Sequence, residues 1–308
     1  MSQINQEDFL RMFAPSPGEL PEAFLSGLRE TDTRCRPPTL EEAETYILDV
    51  LSRIHDSDRG ERSPEENQEA FERGWRENFE AALEEGITPD ALRPRYFRQN
   101  KFLRYNHGLI VSENLNLEYD LFTLARRLLF AKYLSGYECL YEFGCGSCGN
   151  LLMLSEMFPG VRLRGLDWAP ASADIAKLLA KHTRHDIDGH RFDMLNPPED
   201  FEIEPGSAVF TIHALEQLGD RHGSLINFLL KSRPAIVMNY EPICEFYNKD
   251  NLWDYLALLY SQRRGYLSGY YNALKDLEEA GKVEILEARR PHLGGAIHEA
   301  SLIVWRPL

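Results

Sequence analysis

Basic side chains are scarce. Lys and Arg number 34 against 49 Asp and Glu, a net charge of −15. So acidic a surface repels phosphate backbones, so no general nucleic-acid binding is expected, although one local basic patch would be compatible with it. Cysteine is sparse too. Five in 308 residues make no disulfide framework, and the odd number leaves at least one unpaired within the chain. A reducing, cytoplasmic setting is therefore expected. No stretch of about 18 apolar residues is present, so no membrane span is expected. The opening MSQINQEDFLRMF has no basic segment followed by an apolar run, so no secretory signal is expected. No internal repeat is found. Hydrophobic residues at 43% and charged residues at 27% are ordinary for a globular chain and exclude a disordered or collagenous one. The length suits one or two domains.

Charge divides the chain unevenly. The first hundred residues hold 22 acidic and 12 basic side chains, a balance of −10 that leaves −5 for the rest. This first part has helical spacing. In TLEEAETYILDVLSRI, Leu40, Ala43, Tyr46, Ile47, Val50, Leu51 and Ile54 share one face, and Thr39 with Glu42 forms a capping-box pair. A polar stretch over 56–69 precedes a second helical pattern through Phe71, Trp75, Phe79 and Leu83. From about Leu117 the pattern changes. LEYDLFTLARRLLFAKYL reads as a helix. Apolar runs at 139–143, 162–166, 189–192, 208–212, 235–239, 283–286 and 302–305 then alternate with helical stretches at 150–157, 172–182, 224–231 and 252–280. Such alternation predicts a parallel α/β sheet with helices on both faces. The last two runs lack a crossover helix and suit an antiparallel edge hairpin.

The chemistry concentrates in CLYEFGCGSCGNLLML. A predicted strand runs into Gly144-Cys145-Gly146-Ser147-Cys148-Gly149, and a helix follows. Glycines let a backbone turn sharply and approach a ligand, and the helix start offers free N–H groups. Gly144, Gly146 and Gly149 formally fit GxGxxG, so a nicotinamide dinucleotide is one reading. Glu142 favours another. A carboxylate so near the turn repels a pyrophosphate and attracts S-adenosylmethionine, whose amine and sulfonium are cationic; at about 4 Å and an effective dielectric near 20 the difference is several kcal/mol. Asp167, at the end of RLRGLDWAP and 25 residues after Glu142, is placed to accept ribose hydroxyls. Trp168 beside it can lie against adenine. Asp193 in HRFDML can accept the adenine amino group, with Phe192 and Met194 adding an apolar wall and a backbone N–H. Any one such acid can equally be a turn or helix cap. Three acids at three successive strand ends, where ligands of open α/β sheets bind, make a stronger pattern.

YEFGCGSCGNLLML, RLRGLDWAP and RFDML resemble motifs I, II and III of class I S-adenosylmethionine-dependent methyltransferases over about Leu117 to Leu308. FTIHALEQLG, PAIVMNYEP and GGAIHEASLIVWRP are similar, less specifically, to bacterial sugar O-methyltransferases. The resemblance implies a Rossmann-like, seven-stranded, mostly parallel sheet at 116–308 and a helical N-terminal cap at 1–115. It implies S-adenosylmethionine as cofactor and S-adenosylhomocysteine as product. It assigns Glu142, Gly144 and Gly146 to the methionyl part, Asp167 to the ribose and Asp193 to adenine. Cys148 stands where the family has its third glycine, so either the loop is remodelled or Cys148 points away from the cofactor. Cys145 and Cys148 form a CxxC, but zinc would need further ligands, and no metal is assigned.

Methylation of a hydroxyl needs a base as well as positioning. In TIHALEQLGDRHGS, His213 is the first choice, being neutral at pH 7. Glu216, three residues on and able to share a helical face, would orient it or bind the acceptor, and His222 would add to the acceptor site. A metal reading through His213, Glu216 and His222 is weakened by Gln217, which stands where an E-x-x-E-H pattern would put histidine. Tyr240 and Glu241 follow the fifth run and could line the acceptor pocket. Tyr255, Tyr260, Tyr266, Tyr270 and Tyr271 are expected to pack a helical connection onto the core. Tyr105, with Asn106 and His107, could belong to a lid; equally, the N-terminal region could be a homodimer interface. The expected partner is a small-molecule acceptor. An NAD(P)-dependent oxidoreductase and a binding or scaffold protein with a vestigial cofactor fold are the alternative readings.

Overall fold

The computed structural model describes residues 2–14, 20–56, 64–97 and 99–308. The chain begins with β1 (Ser2–Gln3), α1 (Gln6–Phe13), α2 (Glu22–Glu30), β2 (Arg34–Cys35), α3 (Leu40–His55) and α4 (Pro64–Glu85). A hairpin of β3 (Phe102–Tyr105) and β4 (Gly108–Val111) precedes α5 (Leu117–Tyr133). The alternating part follows as β5 (Cys139–Phe143), α6 (Gly149–Met157), β6 (Arg162–Asp167), α7 (Pro170–Thr183), β7 (Ile187–Arg191), β8 (Ala208–Ile212), α8 (Gly223–Ser232) and β9 (Ile236–Glu241). The chain closes with α9 (Leu252–Arg264), α10 (Tyr270–Glu279), β10 (Val283–Arg289), β11 (Leu293–Gly295) and β12 (Ser301–Pro307).

Seven strands make one mixed sheet in the order β10-β12-β9-β8-β5-β6-β7. The pairs β5–β6, β5–β8, β6–β7 and β8–β9 are parallel. β12 runs antiparallel to both its neighbours, β10 and β9. The strand period of two sends alternate side chains to opposite faces. Leu140, Phe210, Met238, Leu302 and Val304 join the apolar layer under α5, α6 and α7. Tyr141, Val209, Val237, Ile303 and Trp305 face the layer under α8 and α10. Both faces are covered, so these strands read as near-continuous apolar runs. Tyr270 plugs the second layer, donating from its hydroxyl to Asn239 Oδ1 at 2.9 Å.

The sequence pattern differs from the structure in three places. The region up to residue 115 is not helical alone. FLRYNHGLIV folds as a hairpin whose turn residues Asn106 and His107 both take positive φ, 48° and 69°, the backbone of a type I′ turn. β11, from near the C-terminus, adds to its β3 edge. The stretch 252–280 is two helices, because α9 ends on Gly265 in the left-handed conformation and Gly269, also at positive φ, starts α10. The Thr39–Glu42 capping box forms in both directions. The polar stretch at 56–69 is helical from Pro64 onward; residues 57–63 lie outside the described residues. No helix of the described residues is long and apolar enough to cross a membrane.

A buried charge cluster ties the hairpin to the core. Arg104 of β3 donates to Asp254 Oδ1 at 2.5 Å. Arg290 bonds both Asp254 oxygens at 2.6 Å and Glu299 at 2.9 and 3.0 Å. Burial alone would raise the Asp254 carboxyl, but bonds from Arg290 and Arg104 outweigh it and hold it below the usual range. Two guanidiniums and two carboxylates balance one another. Asp254→Asn leaves one cation uncompensated and is expected to lower stability by about 3–5 kcal/mol, measured by urea denaturation; a loss under about 1 kcal/mol would contradict the balance.

Candidate functional site

The β5–α6 turn is shaped by its glycines and by β6. Gly144 and Cys145 donate their N–H groups to the Leu166 carbonyl at 2.7 and 3.0 Å. Gly144 has φ +75°, and a Cβ there would overlap that of Ala214. Gly146 has φ +50°, and a Cβ there would come within 2.8 Å of the Trp75 ring. Cys148 keeps the left-handed backbone of a glycine, φ 58°, at a cost of roughly 1–2 kcal/mol. Its thiol turns toward α7, 3.4 Å from the Ser172 carbonyl and 4.0 Å from Cys145 Sγ. Cys148 thus points away from the cavity described below.

The three acids sit at three strand ends in three different states. Glu142 is 1% exposed. Its Oε1 accepts from Asn150 Nδ2 at 2.5 Å, and its Oε2 is buried without a partner. Burial pushes its carboxyl up to about 8, against the pull of Asn150 and Arg126. Asp167 accepts from the N–H groups of Gly146 and Ala169, both at 2.9 Å, and burial still raises it to about 6. Asp193 caps its own turn, accepting from Leu195 N–H at 2.8 Å and Asn196 Nδ2 at 2.9 Å.

A cavity of about 50 Å³ runs beside these strand ends, with Glu142 and Gly146 outside its lining. Gly144, Asp167, Trp168, Asp193, Met194 and His213 line it, so the structure brings these six predicted residues together. Phe71 and Trp75 of α4 close its other side. A larger cavity of about 420 Å³ shares Trp168 and Asp193 and reaches Gln68, Arg221 and Ser224. α4 is held there by polar contacts. Glu72 accepts from Ala171 N–H at the start of α7, at 2.8 Å, and Arg76 reaches Asp174 at 3.0 Å. The role of Phe71 and Trp75 was not read from the sequence. Their helical spacing was plain, but nothing local says that a helix some 70 residues upstream lands on the glycine loop.

The residues expected around the acceptor divide. His213 lines the cavity, in the left-handed conformation with φ 51°, edge-on to Phe122 at 5.2 Å. Burial, with His298 and Arg126 nearby, lowers it to about 3, so it is neutral. Glu216 does not share a helix with it but lies on the following short 3₁₀ turn, Leu215–Leu218, and burial raises its carboxyl to about 7. Glu241 is turned inward. Its two oxygens accept from Ala214 and Leu215 N–H at 3.0 and 3.2 Å, so it caps that turn instead of lining an acceptor pocket. Tyr240 is 2% exposed and packs between Phe122 and Phe13. His222 binds the Ser268 carbonyl at 3.0 Å and props the α9–α10 connection. Tyr105 sits at the hairpin beside Asp8 and Arg11. None of these last four lines the cavity. Among the described residues, no group of three His, Cys, Asp or Glu side chains could hold a metal ion.

No protein-family model and no curated protein matches this chain. Solved structures do. An O-methyltransferase family 2 protein from Planctomyces limnophilus, in complex with apigenin, is 15% identical over 58% of this chain and 53% of its own, with a TM-score of 0.40. Geranyl diphosphate C-methyltransferase from Streptomyces coelicolor is 15% identical over 80% and 100%, at 0.46. Human N-acetylserotonin methyltransferase is 14% identical over 97% and 70%, at 0.44. The chain spans 53–58% of the length of the first such structures. Likeness at this level says nothing of chemistry, which must come from the side chains.

Gly144→Ala tests the close packing of the turn on Ala214. Strain at positive φ and overpacking together predict a stability loss of about 2–5 kcal/mol by urea denaturation. A loss below about 0.5 kcal/mol would show that the turn is loose.

Proposed function

We propose that this chain is an S-adenosylmethionine-dependent methyltransferase acting on a hydroxyl of a small molecule. The observation that carries the proposal is Glu142, a fully buried carboxyl at the end of β5, beside a glycine turn, with one oxygen unpartnered. An unsatisfied buried acceptor is costly. A cationic amine satisfies it as the paired carboxylate, whereas a pyrophosphate, which has acceptors only, could meet it only as the protonated acid. The strand order supports the same reading. β12 stands antiparallel between β9 and β10, unlike the sequential 3-2-1-4-5-6 order of dinucleotide-binding sheets.

In this reading 116–308 is the transferase core and the preceding residues cover it, with Phe71 and Trp75 as the covering side chains. S-adenosylmethionine, when bound, supplies a methyl group already activated on sulfur. Glu142 holds its amine. Asp167 offers its carboxylate to the ribose by releasing a backbone N–H. Trp168, Asp193 and Met194 take the adenine end. His213 takes the acceptor's proton, being neutral and lining the cavity, as Glu216 is not. An imidazole pushed so low is a weak base, so its share lies at the lower end of general-base effects, about 10²-fold in kcat. Glu216 orients it. Asp167→Ala is expected to weaken S-adenosylhomocysteine binding severely, and His213→Ala to leave that binding intact while slowing turnover. Unchanged affinity in the first, or full activity in the second, would remove that residue's role.

Burial makes a further prediction about pH. Glu142 is largely protonated at pH 7 before a ligand arrives, and an amine requires the carboxylate. Binding must then expel a proton, so affinity for S-adenosylhomocysteine should rise by up to about tenfold per pH unit below 8 and level off above it. Titration calorimetry in buffers of different ionisation enthalpy reads the proton directly. Affinity independent of pH between 6.5 and 8.5 would contradict it.

A further inference from the structure

Arg126 lies on α5, outside the glycine turn and all three strand-end acids. Its side chain is buried, 6% exposed. Nη2 donates to Thr123 Oγ1 at 2.9 Å and Nε to the Phe122 carbonyl at 3.4 Å, and the guanidinium lies over the Phe122 ring. The remaining Nη1 donates to Asn150 Oδ1 at 2.6 Å. Asn150, on the first turn of α6, passes the bond on by donating Nδ2 to Glu142 Oε1 at 2.5 Å.

The direction of this relay is forced. A guanidinium has donors only, so it can bond Asn150 only through the amide oxygen. That turns the amide NH₂ toward Glu142. The flipped amide would set donor against donor at the Arg126 end. Glu142 thus receives its one side-chain donor on Oε1, and Oε2 has none.

We infer that Arg126 is a positioning residue for cofactor recognition: acting through Asn150, it clamps one oxygen of Glu142 and keeps the other available to the cofactor's α-ammonium. The inference rests on the S-adenosylmethionine reading and deepens it. It assigns Arg126 to recognition of the amino-acid tail and not of the adenosyl part.

The test compares S-adenosylhomocysteine with 5′-methylthioadenosine, which keeps the adenosyl group but has no amino-acid tail. Arg126→Met and Asn150→Leu are each checked for a cooperative native melt and titrated calorimetrically. Both variants are expected to lose about tenfold or more in affinity for S-adenosylhomocysteine at pH 7.5, the scale of a lost bond to a charged group. Both should bind 5′-methylthioadenosine within about twofold of the unmodified chain, and both should need a higher pH to reach their affinity plateau. Should Arg126→Met fail to fold, Asn150→Leu decides, since it leaves Arg126 its bonds to Thr123 and Phe122. Unchanged S-adenosylhomocysteine affinity, or equal loss of both ligands, overturns the inference while the cofactor reading stands. An unmodified chain that binds neither ligand overturns the cofactor reading, and this inference with it.

Discussion

Burying a carboxyl group costs free energy unless both oxygens are bonded and its charge is answered. At the end of β5 the protein meets only half of that requirement. Asn150 bonds one oxygen of Glu142, and the other lies buried without a partner. The pieces around it follow from this choice. Arg126 fixes the orientation of Asn150. The Gly144 turn is seated on β6 through the Leu166 carbonyl and packed on Ala214, which keeps the acid beside the loop. Asp167, by contrast, is satisfied by two backbone N–H groups, and Glu241 by two more. Of the strand-end acids, Glu142 alone carries an oxygen that is buried and unpartnered among the described residues, and the proposed cofactor reading rests on it.

What the sequence could tell tracks what is local. β5 and β8 fall on the residues their apolar runs predict, because a strand covered on both faces leaves an uninterrupted hydrophobic signature. The capping box at Thr39 follows from residues three apart. The turn at Asn106 and His107 was not read from the sequence, because the weak alternation of FLRYNHGLIV does not announce a hairpin, and its third strand, β11, comes from almost 190 residues later. The break at Gly265 hides inside a stretch whose apolar spacing continues on both sides. The candidate site divides in the same way. Gly144, Asp167, Trp168, Asp193 and Met194 fall along one cavity because strand ends of a parallel sheet converge. Glu241 and His222 show that chemical type alone does not distinguish a cap from a ligand. Both bond backbone groups.

The N-terminal region matters to the site through two side chains. Trp75 presses its ring on Gly146, the glycine expected to face the cofactor, and Phe71 lies 5.8 Å from Trp75 and 6.3 Å from Trp168. The absent Cβ of Gly146 thus serves this aromatic wall. The wall is anchored on α7 by Glu72, which accepts from the Ala171 N–H, and by the partly exposed Arg76–Asp174 pair, a kind of pair that adds little stability. α4 is thus docked by its aromatic face together with these polar contacts, over the same strand ends that hold the acids.

The claim at the centre is that Glu142 exists to hold a cationic amine. A crystal structure of the chain grown with S-adenosylhomocysteine tests it most directly. The account predicts the ligand's α-ammonium within hydrogen-bond reach of Glu142 Oε2, with the Asn150 bond to Oε1 preserved. A ligand whose amino-acid tail lies elsewhere, leaving Oε2 still unpartnered, would contradict it.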